Sequence, residues 1–194
     1  MGTRKYLKAN SAIANMCLSQ ELDPDVIYNK AKLLLESYRN LCWTSFGIIG
    51  ENNDDLGNND TYYIDNNEIL SGLEYLNSYS PNENRVVFEK NLRKYFDTQW
   101  LIDLISNAIV QVNEFPTTGE LYVEILSKFY LSRFKLCESD LLSLLNLERS
   151  RYYDRKREAV MIFAIALWGT VIPNLLSTVT APPDSIPILP VVNC

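Results

Sequence analysis

Residues 141–160, LLSLLNLERSRYYDRKREAV, hold two helical patterns that meet at one asparagine. Just before them, Glu138, Ser139 and Asp140 supply the acidic and capping residues of a helix start. Leu141, Leu142, Leu144 and Leu145 then give one apolar face, enough for about two turns of helix. Asn146 falls where a tight turn needs a positive φ, which asparagine tolerates better than most residues. Leu147 reads as an apolar plug inside the turn, and a second helix follows from Arg149 with Tyr152, Ala159 and Phe163 on its inner side. Five cations (Arg149, Arg151, Arg155, Lys156, Arg157) crowd into the start of that helix, in a chain of net charge −6. A short helix, a tight turn and a second helix with a basic N-terminal end form the arrangement of a helix-turn-helix. Its second helix enters the major groove and turns its first residues to base edges. Arginine there can bond guanine O6 and N7 together, while neighbouring cations neutralise phosphates.

The same residues carry a family resemblance. The stretch resembles the helix-turn-helix of sigma-70 region 4 and of phage-encoded transcriptional regulators related to it, notably the ArpU type. The matching positions are Leu145, Asn146, Leu147, Ser150, Tyr152, Tyr153, Arg155, Lys156 and Ala159, with Glu120 to Phe134 as the preceding scaffold helix. It covers residues 119–168. The resemblance implies an all-α regulator of phage or prophage origin that binds double-stranded DNA and acts in the cytoplasm, with RNA polymerase or another regulator as a further partner. Arg149, Ser150, Arg151, Tyr153 and Arg157 are expected at the groove, with Arg133 and Lys135 on phosphates. The pattern departs in places. Leu142 stands where a small residue usually lets the two helices approach. Arg155 and Lys156 occupy a step that is usually apolar, so their stems are expected to cover the core while their charges reach water. Asp154 and Glu158 are expected to face the DNA or its flank.

A plainer account treats ERSRYYDRKRE as a solvated face of interleaved charge, with Glu148, Asp154 and Glu158 offsetting three of the five cations. It leads to a protein-interaction module whose helix-turn-helix no longer meets DNA.

Outward from this segment the chain also reads as helix. Residues 24–45 place apolar side chains at 27, 31, 34, 38 and 41, behind Asp23 as cap and Pro24 in the first turn. Helical spacing recurs at 7–19, at 67–79, over 81–115 as one long helix or two, and at 119–134, with Pro116 as a stop. Tyr95 and Trp100 read as core aromatics rather than a ligand pocket. The stretch 47–65 is rich in Asn, Asp and Gly and reads as an acidic solvated loop. Aligned as an EF-hand on Gly57, it puts Leu56 and Tyr63 where oxygen ligands belong. The implied organisation is a helical N-terminal region (1–118), a helix-turn-helix region (119–176) and a proline-rich tail (177–194).

Residues 159–176, AVMIFAIALWGTVIPNLL, are the most apolar. The run from Ala159 to Ile172 is fourteen residues, short of the twenty or so that span a bilayer, and Pro173 is expected to interrupt it. A buried helix is expected, either in the chain's own core or at a homodimer contact through 159–172, with no membrane insertion. The chain has no histidine, its four cysteines form no CxxC, and no nucleotide or nucleophile motif occurs. No cofactor, metal site or enzymatic role is therefore expected. The N-terminus lacks the apolar core of a signal peptide, and Tyr6 fails the myristoylation pattern.

Overall fold

A computed structural model describes residues 11–49, 66–96 and 98–180, and within them the protein is all-α, with no strand. In chain order the helices are α1 (Ser11–Ser19), α2 (Pro24–Ile49), α3 (Asn66–Ser78), α4 (Arg85–Tyr95), α5 (Thr98–Asn113), α6 (Gly119–Leu126), α7 (Glu138–Leu145), α8 (Arg149–Ala166) and α9 (Ile172–Thr180). Two π-helical segments, Ser127–Leu131 and Leu167–Val171, continue α6 and α8 respectively.

Local chemistry fixes the ends. Asp23 Oδ1 accepts from the backbone N–H groups of Asp25 (2.9 Å) and Val26 (3.2 Å), capping α2 as its sequence suggests. Asn84 does the same for α4 through Val86 N–H. The long pattern over 81–115 is two helices, because Phe96 is extended (φ −127°, ψ 131°) and stacks on Trp100 at 4.8 Å between ring centres. Gly119 is required where α6 begins. A Cβ there would lie 2.2 Å from the carbonyl oxygen of Asn113 at the end of α5, so only glycine allows this close approach.

The core is built around α8. From Glu158 to Trp168 every residue is buried, and α1, α2, α5 and α6 pack on its sides. Such a helix has no polar stripe because no face of it meets water. The burial expected for 159–172 is supplied within the chain. The chain's own helices cover this stretch and leave only Gly169 and Thr170 part-exposed. Pro173 ends the apolar run without ending the helix. The Ile172 N–H bonds the carbonyl of Leu167, five residues back, and this π register carries the chain past a proline that lacks a donor. Arg149–Thr180 is thus one helical rod of 32 residues. By length and composition it could cross a membrane, and 67% of its apolar window is buried inside the fold.

The remaining helices close the body. Tyr75, Tyr79, Phe88 and Tyr95 form an aromatic cluster between α3 and α4, and the Trp168 indole N–H donates to the carbonyl of Leu76 at 3.1 Å. Tyr95 and Trp100 are packed against the core, as expected. The acidic stretch begins later than its sequence suggests, since 47–49 still belong to α2; residues 50–65 lie outside the described residues. Likewise α9 holds 177–180 in helix, and 181–194 lie outside them.

Candidate nucleic-acid interface

The α7–turn–α8 unit forms as its sequence requires. Asn146 adopts φ 49°, ψ 45°, the left-handed region. Its N–H bonds the carbonyl of Ser143 (3.3 Å) and the Leu147 N–H bonds that of Leu142 (3.2 Å). Those two bonds are the Schellman closure of a helix C-terminus. Leu141 and Leu145 are buried, while Leu142 and Leu147 lie half-buried against the core, so the plug is in place. On the inner side of α8, Tyr152, Ala159 and Phe163 are fully buried.

At the leading turns of α8, Arg149, Ser150, Arg151 and Tyr153 are exposed, Tyr153 at 42%. The cations differ in how far they are engaged. Arg149 Nε lies 2.7 Å from Glu138 Oε1, and the Tyr153 hydroxyl donates to Glu138 Oε2 at 3.0 Å. One carboxylate at the start of α7 therefore joins two of the candidate groove residues. Arg151 makes no ion pair with any described residue. Arg157 stands about two turns further on. It pairs with Asp154 at 3.5 Å and hydrogen-bonds Tyr28 of α2, whose hydroxyl pKa is raised mainly by burial. Arg149, Tyr153 and Arg157 thus follow one another at four-residue steps on one side of α8, with Arg149 and Tyr153 joined by Glu138, while Ser150 and Arg151 stand further round the helix.

The phosphate candidates lie on the segment leading into α7. Arg133 places its guanidinium over Trp43 (5.9 Å) and over Phe134 (5.6 Å), and Lys135 is exposed. Arg39 of α2 holds this segment from below, its Nε donating to the Ser132 carbonyl at 2.9 Å and its Nη2 to that of Phe129 at 3.0 Å. Nothing in the spacing around Arg39 foretells that role.

Two expectations for the basic run are overturned. Lys156 does not carry its charge out to water. Its ammonium sits 3.0 Å from the centre of the Phe129 ring and 5.3 Å from that of Tyr130, both on the π segment after α6. Burial there lowers its pKa to about 8, against the pull of Glu36 and Glu138 and with the push of Lys32 and Lys135. Glu158 does not face a DNA flank either. It is 8% exposed, accepts from the Tyr122 hydroxyl at 2.8 Å and pairs with Arg155 at 2.5 Å, tying α6 to α8. Both cases have one cause. Helix α8 sinks into the body within two turns of its start, so charges that look solvent-facing on a helical wheel meet other helices.

No group of histidine, cysteine, aspartate and glutamate among the described residues is arranged to hold a metal ion. Comparison with family models, with curated proteins and with solved structures returned no match.

Proposed function

We propose that this protein is a non-catalytic regulator that binds double-stranded DNA, laying the leading turns of α8 in the major groove as region-4-like phage regulators do. One observation carries it. The Asn146 turn leaves Arg149, Ser150, Arg151 and Tyr153 exposed on the leading turns of a helix that is buried from Glu158 to its end. A tip of this kind offers donors to bases and phosphates at a set angle to the body. The acidity of the remaining surface then works against nonspecific adhesion elsewhere.

The test is fluorescence anisotropy with random-sequence duplex DNA at low and moderate salt. Binding should weaken steeply with salt, because each phosphate neutralised releases counterions. Arg151→Ala should lower affinity by about 1–3 kcal/mol if the side chain reads a base, or lower the salt slope by about 1 if it meets phosphate. A folded wild-type protein with no salt-dependent binding at low salt overturns the proposal.

A second reading has its own support. Glu138, Asp154 and Glu158 take up Arg149, Arg157 and Arg155, and Phe134 is left 72% exposed nearby. A near-neutral tip flanked by an exposed aromatic suits a protein partner such as RNA polymerase or another regulator, and a salt-insensitive complex would favour it.

A further inference from the structure

We propose that Glu138 is a built-in competitor for the DNA backbone, a carboxylate latch that holds the reading tip until phosphate displaces it. The inference rests on the DNA-binding proposal and adds a control to the same site. Glu138 presents its two oxygens to two different donors, Arg149 Nε at 2.7 Å and the Tyr153 hydroxyl at 3.0 Å. A phosphate offers the same pair of anionic acceptors, so the latch and the DNA backbone contend for the same donors. The contact is accessible to exchange, with the Arg149 side chain 72% exposed and that of Glu138 38% exposed. Pairs this open are weak and salt-screened, so an incoming phosphate can replace the carboxylate. While closed, the latch fixes the rotamers of Arg149 and Tyr153. It also sets a negative charge against any duplex that approaches without displacing it.

Arg151 shares the exposed leading turns of α8 but makes no ion pair with a described residue. It is therefore available for first encounter, whereas Arg149 and Tyr153 engage only when the latch opens. Selectivity follows, since a weak or misplaced contact leaves the carboxylate where it is.

The experiment compares wild type, Glu138→Gln, Asp140→Asn and Arg151→Ala by anisotropy with random duplex DNA across a salt series, with folding checked by thermal unfolding. Asp140 is exposed on the same turn of α7, so its variant makes the same charge change beside the latch. The latch predicts that Glu138→Gln binds about two- to fivefold tighter at low salt, the scale of an exposed pair released. The gain should shrink as salt rises, and Asp140→Asn should gain distinctly less. Equal gains from both variants would make the effect one of overall charge and overturn the latch. Weaker binding by Arg151→Ala with no gain from Glu138→Gln would remove the latch and leave the DNA proposal standing. No binding by wild type or by Glu138→Gln would remove both.

Discussion

Asn146 carries a backbone conformation that most residues avoid, and the whole tip depends on it. Asn146→Ala should cost about 1 kcal/mol or less, because alanine keeps the β-carbon that crowds the following carbonyl and loses the short polar side chain that eases the left-handed conformation. Asn146→Gly should be tolerated within a few tenths or stabilise, since glycine is the usual residue at this place. Thermal unfolding of the two variants decides the matter, and equal losses would mean that the asparagine side chain rather than its backbone matters. This residue was legible in advance because asparagine between two leucine-rich patterns is a turn signal. Glu21 performs the same closure at the end of α1, with φ 55° and the Leu22 N–H bonded to the Cys17 carbonyl at 2.9 Å. No rule of composition points to a glutamate there. Its strain is imposed by Leu22 turning inward, which is a matter of tertiary packing.

Between elements, the sequence is most informative about where helices lie and least about what their charged residues meet. Helix α2 could be placed from its period and its Asp23–Pro24 start. The two π segments could not, because each is a one-residue slip in register with no residue type of its own to announce it. The first of them decides the fate of Lys156 by bringing Phe129 and Tyr130 under α8. A consequence for pH follows. Burial lowers the Lys156 pKa to about 8 from the ordinary 10.5, so between those values the unfolded chain binds more protons than the folded one. That lysine's contribution to stability therefore rises with pH across the window and is flat below it. Lys156→Met keeps the stem and loses the titration. Urea unfolding should show wild type gaining on the variant from about pH 8 to 10.5. A constant difference would place the ammonium in free water. The comparison is made against the variant because buried tyrosines such as Tyr152, raised to about 12 by burial, pull the other way once tyrosine ionises in the unfolded chain.

At the scale of the molecule, an all-α body was legible from the recurrence of helical spacing and the shortage of turn residues. The role of residues 159–172 was read only in part. Fourteen apolar residues with no polar face announce burial, but they do not say whether membrane, partner or the chain itself provides it. That answer needs the count of amphipathic helices available to surround them, and α1, α2, α5 and α6 suffice. Phe163, fully buried in the last turn of α8, is a probe of this arrangement. Phe163→Ala should cost about 3–5 kcal/mol. In urea, circular dichroism and tryptophan fluorescence should move together, since Trp43 and Trp100 stand on α2 and α5, which pack on α8, and Trp168 on its continuation. A first transition confined to one signal would mean that the helices around α8 form separate units.

The continuity of Arg149–Thr180 has one more consequence. A reading head on a flexible stalk can settle on a duplex while its body swings freely, so neighbours meet it from any side. Here head and axle are one piece. On a duplex, in the complex proposed above, rotation of α8 in the groove would turn the entire protein with it, and a single bearing would be kept. The acidic bulk would stand off the helix like a keel, presenting the same flank to whatever binds the adjoining turn.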